Sequence, residues 1–230
     1  MRESGGDPPT ISFVGERQLS DAPLSPHLVS LAGLDLIDGT PPVVRVEEVR
    51  EVAVVLSRSR DPGREVHLGN CRNDGVPVVV RPSGGGAVVL APGMVVASVL
   101  TRRREAERFP EQVFRRYCGA VASALERAGV SGLALRGVSD LCLGDRKVAG
   151  SALRLWHERV LFQLSVLVGA NVDLLERYLA LPSRMPDYRA GRSHRDFVVN
   201  LREAGFEISI PRLAGVVQGS LQGEALATGE

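Results

Sequence analysis

The segment VVVRPSGGGAVVLAPGMVVASVL, residues 78–100, constrains the fold more than any other part of the chain. Two β-branched runs, stiff and suited to strands, flank Arg81-Pro82-Ser83 and three consecutive glycines. One reading is a plain β-turn with flexible glycines. Two glycines already suffice for a tight hairpin, however, and a further glycine costs roughly 0.5–1 kcal/mol of backbone entropy relative to alanine. The second reading is a binding loop. There the backbone lacks side chains because a ligand lies against it with N–H groups free to donate, and Arg81 offers a planar charge to a carboxylate or phosphate.

The totals narrow the setting. A chain of 230 residues with 44% hydrophobic and 24% charged residues has an ordinary globular composition. A net charge of +1 supplies no global field for nucleic acid or an anionic membrane, and only 4% aromatic residues leaves few stacking platforms. No nucleic-acid or membrane partner is expected. Cys71, Cys118 and Cys142 are isolated and odd in number, without a CxxC pair, which fits a reducing compartment and no zinc site. The N-terminus lacks an apolar core of signal-peptide length, so a cytoplasmic location is expected.

Periodicity divides the chain into strands and helices. A short helix is expected over residues 24–36, with Ser25 and Pro26 as cap and first turn. Strands follow over 43–46, 52–56 and 76–80, with 61–73 open between helix and loop. Two more, 87–90 and 95–100, stand around a Pro92-Gly93 turn. The clearest helix is 110–128, where Val113, Phe114, Tyr117, Val121, Leu125 and Ala128 share a face and Gly129 stops it. A short strand over 133–135 and a hairpin over 148–168 come next. Helices are expected over 172–179 and 193–204, while Gly215, Gly219 and Gly223 weaken a helix in the tail. With no repeat and no strict strand–helix alternation, one α+β domain is favoured, a mixed or antiparallel sheet with packed helices. Its expected parts are a flexible arm over 1–23, a catalytic body over 24–201 and a C-terminal extension of the same domain over 202–230.

A second stretch, GVSDLCLGDRKVAGSALR, places Asp140 before a Gly144-Asp145 turn and Lys147 on the strand beyond it. By itself it reads as a hairpin with a solvated lysine. In order, Arg81-Pro82-Ser83-Gly84-Gly85-Gly86-Ala87, then Asp140-Leu141, then Arg146-Lys147-Val148-Ala149-Gly150-Ser151-Ala152 resemble the lipoate–protein ligase A family of the biotin/lipoate ligase superfamily. A third match is PDYRAGRSHRDFVVNL, residues 186–201. The resemblance implies the biotin/lipoate protein ligase fold, which is class II synthetase-like, and an enzyme that joins lipoate or octanoate to ATP as an acyl-adenylate. The acyl group then passes to a lysine on a lipoyl-acceptor domain of a 2-oxoacid dehydrogenase or a glycine-cleavage H-type protein. Lys147 and Asp140 would be catalytic. Arg81, Ser83, Gly84, Gly85, Gly86, Ala87, Gly150, Ser151 and Ala152 would line the adenylate. No protein-held metal is implied, and magnesium would arrive with ATP.

Three departures accompany the resemblance. Many relatives have a histidine shortly after the glycines, where this chain has Val88-Val89-Leu90, and a His-Gly pair where it has Gln163-Leu164. Residues 202–230 are too few for the accessory domain of full-size ligases, so a separate accessory chain is one expectation. An acyl-carrier-dependent acyltransferase without ATP is another, with Cys142 as its candidate nucleophile. The third alternative is a binding protein that has kept the pocket and lost the chemistry.

Overall fold

The computed structural model describes residues 25–227. The arm expected over 1–23 lies outside them. Ser25 caps helix α1 (Pro26–Leu31), its hydroxyl accepting the Leu28 N–H with Pro26 in the first turn. A 3₁₀ turn, Leu34–Leu36, leads to strand β1 (Val43–Glu48). Then come β2 (Ala53–Ser57), two short helices α2 (Pro62–Glu65) and α3 (Leu68–Asn73), β3 (Val78–Arg81) and β4 (Val88–Leu90). A long strand β5 (Met94–Arg102) precedes helix α4 (Pro110–Arg127), followed by β6 (Leu133–Arg136), β7 (Asp140–Leu143), β8 (Arg146–Leu155) and β9 (Arg159–Leu167). The chain continues through α5 (Asp173–Tyr178), a 3₁₀ turn at Asp187–Arg189, α6 (His194–Phe197) and α7 (Ile210–Leu226).

Two sheets result. The larger has the order β1-β5-β9-β8-β7-β6, antiparallel throughout; the smaller has the order β3-β2-β4, with β2–β3 parallel and β2–β4 antiparallel. Strands β4 and β5, expected around a shared turn, belong to different sheets. The chain crosses between them at Gly93 (φ +93°), where a Cβ would lie 2.7 Å from Ala170 N. Only glycine fits that crossing.

Strand alternation sends one set of side chains to each face of the large sheet. On β5 and β9, Val95, Ala97, Val99, Val160, Phe162 and Val166 meet α4 and α7. Met94, Val96 and Leu167 on the other face meet Val55, Val79 and Leu90 of the small sheet. That sheet's outer face, with Val54, Leu56 and Val89, packs on Tyr178, Leu179 and Cys71. The order is helices, large sheet, small sheet, helices.

Two expectations need correction. The helix expected over 193–204 stops at Phe197. Beyond it the backbone is extended, because Val198 belongs to the inter-sheet cluster whereas Val199 and Leu201 belong to the helix-side core, and an extended segment serves both faces. In the tail, α7 forms despite three glycines. Its Leu213, Val217 and Leu221 are fully buried against α4, β1 and β5, so tertiary packing overrides weak propensity. Residues 202–226 therefore contribute to the main core rather than being appended to it.

The glycines of α7 are exposed, and a Cβ at any of the three would meet nothing within 4 Å. Gly215→Ala and Gly219→Ala are each expected to raise unfolding free energy by about 0.5–1 kcal/mol. Urea denaturation read by circular dichroism measures the change.

Candidate active site

A gap remains between the sheets because the floor is built of small residues. The register sets Ala152 opposite Gln163 and Gln163 opposite Ser98; beside this row, Gly150 stands opposite Ser165 and Ser165 opposite Val96. Facing sheets sit about 10 Å apart and normally fill that space with side chains. Here a cavity of about 280 Å³ is left. Leu31, Val55, Leu90, Met94 and Leu167 give it apolar walls, and Asp140, Lys147, Arg184, Arg189 and His194 give it a polar end.

The glycine loop forms part of the wall and is held by two arginines, one of which, Arg81, also lines the cavity. Arg81 is buried and donates from Nη1 to Val55 O (3.0 Å) and from Nη2 to Gly84 O (2.9 Å) and Gly86 O (2.8 Å). Arg60 Nε donates to Gly85 O at 3.1 Å. Because a trans peptide points its C=O and the next N–H in opposite directions, the N–H groups of Gly85, Gly86 and Ala87 face away from these arginines. Gly85 has φ +103°, and a Cβ there would come within 3.0 Å of Arg81 Nη2. Burial, with Arg60 nearby, brings the Arg81 pKa down to about 10, which still leaves it charged at neutral pH.

Gln163 ties the loop to the floor. Its Oε1 accepts from Ser83 Oγ at 2.6 Å, while Nε2 donates to Ser98 Oγ (3.3 Å) and Leu31 O (3.4 Å). One buried amide thus joins the loop, β5, β9 and the end of α1.

Lys147 occupies the polar end. Its Nζ lies 2.7 Å from Asp140 Oδ1, the two strands being paired so that Asp140 sits opposite Gly150. A Cβ on Gly150 would fall 2.7 Å from both Cε and Nζ of Lys147, so the lysine can lie across its own strand only because position 150 is bare. Tyr188 Oη donates to the other carboxylate oxygen, Oδ2, at 2.7 Å. Burial and the adjacent Asp140 push the phenol's pKa up, keeping it protonated as the donor. Val199 N bonds Lys147 O at 2.9 Å and fixes the strand from its edge. Of the 28 lysines and arginines in the chain, all but Lys147 are arginine. An ammonium is kept at this one position in a protein that elsewhere uses guanidinium.

The structure brings Lys147, Asp140, Gly86, Ala87, Gly150 and Ala152 to one cavity, with Ser83 and Gly84 bracing the loop. Arg81 and Ser151 line the cavity as well, with polar atoms engaged inside the protein, whereas Cys142 lies outside it. The donors Nη1 and Nη2 of Arg81 serve loop and strand carbonyls rather than a ligand anion. The Ser151 hydroxyl donates to Ser139 O at 2.7 Å and lies 3.4 Å from Cys118 Sγ, on the helix side of β8. Cys142, the candidate nucleophile, is fully buried, does not line the cavity, and sits 3.5 Å from Tyr188 Oη; burial raises its thiol pKa. A buried neutral thiol is a poor nucleophile. Sequence reasoning missed Tyr188 and Arg189, both inside the third quoted segment, where nothing in residue type or spacing marked them off. His194 of that segment is buried with Nε2 at 3.1 Å from Ala180 O, and burial lowers its pKa.

Two layers of sheet enclose a slot with a glycine loop in its wall and a paired lysine at its end. The family description "Lipoyl protein ligase A/B catalytic domain" matches residues 34–222, and the chain belongs to that family. It is 31% identical over 130 residues to the putative lipoate-protein ligase A of Aeropyrum pernix, covering 56% of this chain and 47% of that protein. The matched stretch spans less than half the length of the curated relatives. Among solved structures, a bi-partite lipoate protein ligase from Thermoplasma acidophilum superposes with a TM-score of 0.72 at 22% identity, over 85% of this chain and 78% of that one. A lipoate-protein ligase A bound with ATP gives 0.70 at 23% identity, over 85% and 79%. These two likenesses establish the fold.

Gly150→Ala tests the geometry directly. The added methyl must displace the Lys147 head while leaving the core intact, so the turnover rate of the site is expected to fall by about 10²-fold. Steady-state kinetics and a thermal melt on the same preparation separate the two effects.

Proposed function

We propose that the protein is a lipoate–protein ligase: it activates lipoate or octanoate with ATP and delivers the acyl group to a lysine of a lipoyl-acceptor domain. The observation that carries the reading is the chain's one lysine, ion-paired with Asp140 in a cavity with apolar walls. A carboxylate and a triphosphate repel each other, and an ammonium fixed between them lowers that repulsion and stabilises charge gathering at the α-phosphorus. The carboxylate oxygen bonds to that phosphorus and pyrophosphate leaves. In the second step the acceptor amine attacks the acyl carbon, and AMP departs with the electrons of the broken C–O bond. The apolar walls receive the alkyl chain, and the loop N–H groups of Gly85, Gly86 and Ala87 are placed to meet polar oxygens.

Among the described residues, no group of three or more His, Cys, Asp or Glu side chains could hold a metal ion. Magnesium in this reading comes bound to the phosphates of ATP. Among the same residues no helix is long and apolar enough to cross a membrane. The reading places the reaction in the cytoplasm. Likeness to the bi-partite Thermoplasma protein, described with its E2 lipoyl domain, supports a lipoyl domain as acceptor and a separate accessory chain as partner; a glycine-cleavage H-type acceptor is part of the proposal on the family resemblance alone. Burial of Cys142 weighs against the ATP-independent cysteine route.

Intact-mass analysis of a purified lipoyl domain, incubated with the protein and octanoate with and without ATP, tests the proposal. One added octanoyl group is expected only with ATP; ATP-independent transfer, or none at all, overturns it. Lys147→Arg is expected to lose at least about 10²-fold in rate, since the charge remains but its placement does not. Cys142→Ser is expected to retain the wild-type rate, and its loss of activity would reinstate the thioester mechanism.

A further inference from the structure

An activated acyl group reacts with any nearby amine, and Lys147 would stand beside the one that this site forms. Lysine attacks an acyl carbon only as the neutral amine, because an ammonium has no lone pair to offer. We propose that Asp140 and Tyr188 act together as a guard on Lys147, preventing the chain's sole lysine from capturing the acyl group that it helps to activate; the proposal rests on the ligase reading above.

Three observations support it. First, Asp140 is engaged through both carboxylate oxygens, with Nζ of Lys147 on Oδ1 and the hydroxyl of Tyr188 on Oδ2, each at 2.7 Å. Tyr188 therefore fixes the face that the carboxylate presents to the ammonium. Second, the phenol is itself held. Its ring lies 5.3 Å from that of Phe197, and a Cβ on Gly137 would touch it at 3.3 Å. Third, the other carboxylates of these surroundings are engaged elsewhere: Glu65, which also lines the cavity, accepts from Ser183 Oγ at 2.6 Å and from Arg60, and Glu176 accepts from Arg195 N at 3.0 Å. Arg146 on the same strand donates to Arg195 O and Val198 O, Arg189 and His194 flank from the 186–197 segment, and Cys142 is a buried thiol. Asp140 is thus the carboxylate in contact with Nζ. The side reaction it prevents is balanced: neutral Nζ forms an amide bond to the acyl carbon, the bond from that carbon to the phosphate oxygen breaks, AMP leaves with the electron pair, and nitrogen sheds a proton. The product would be a capped, uncharged Lys147 and a dead enzyme.

The absence of any other lysine makes the test direct, because every acyl-lysine on this chain is residue 147. Wild type, Tyr188→Phe and Asp140→Asn are incubated with ATP, magnesium and octanoate without acceptor, then read by intact mass and peptide mapping, which separates the N-terminal amine. Wild type is expected to stay unmodified and both variants to gain one octanoyl group on Lys147. Variants that remain unmodified while still catalysing octanoate-dependent pyrophosphate exchange overturn the guard, as does a wild type modified as fast as they are. A second arm uses the N-hydroxysuccinimide ester of octanoate at neutral pH, which needs no ATP and no ligase activity. Lys147 is expected to react roughly tenfold faster in Asp140→Asn, the scale of losing an opposite charge within about 4–6 Å, and faster than wild type by a smaller factor in Tyr188→Phe, which keeps the carboxylate but frees it to turn. Equal rates overturn the guard. Faster labelling in this arm, with no octanoate-dependent exchange by wild type in the first, supports the guard and removes the ligase reading instead. Asp140→Asn and Tyr188→Phe change different groups, so a folding defect in one leaves the other to decide.

Discussion

The strip of small residues on the inner face of the large sheet is the constraint from which the rest follows. Two sheets of this kind would ordinarily fuse through interdigitated Val, Leu and Ile. Gly150, Ala152, Ser98 and Ser165 stop that fusion locally and leave room for a guest. The same strip lets Lys147 fold back across Gly150 to reach Asp140. A side chain at position 150 would narrow the slot and displace the ammonium together, which couples binding volume to site geometry in one strand.

The glycine loop depends on a second economy. A loop with no side chains of its own cannot pack, so its shape must be imposed from outside. Arg81, Arg60 and Gln163 impose it, the arginines through the carbonyls of Gly84, Gly85 and Gly86 and the amide through Ser83. Hydrogen bonds to a charged donor are the stronger kind, worth about 1.5–3 kcal/mol each. Spending the buried arginine on loop carbonyls keeps the loop N–H groups unencumbered.

Much of this was legible in the residues, for identifiable reasons. Strands with β-branched runs and α4 with its regular apolar face announce themselves because one local pattern decides them. The pairing of Asp140 with Lys147 followed from an ordered set of motifs rather than from either residue alone. What stayed hidden depends on three dimensions. The turn at Pro92-Gly93 looks identical whether its strands pair or diverge. Helix α7 is decided by Leu213, Val217 and Leu221 meeting a core that other segments build. The side of β8 on which Ser151 lies depends on the bulge between Leu141 and Cys142, which shifts the register at that point. Tyr188 reaches Asp140 across 48 residues of sequence, a contact with no local signature.

The two positions where the family resemblance leads one to expect histidine are now explicable in terms of this chain's own packing. Leu90 is buried in the inter-sheet cluster and extends the apolar wall. Gln163 stands at the centre of the floor, where a neutral imidazole would bring one donor and one acceptor. The amide brings one acceptor and two N–H donors, enough to meet Ser83, Ser98 and the Leu31 carbonyl at once. Gly33 completes the fit: a Cβ there would come within 2.8 Å of Gln163 Nε2. The glutamine and the bare position facing it therefore form one device, and it carries no group that titrates near neutral pH. Loop position in this protein is in that way separated from proton concentration.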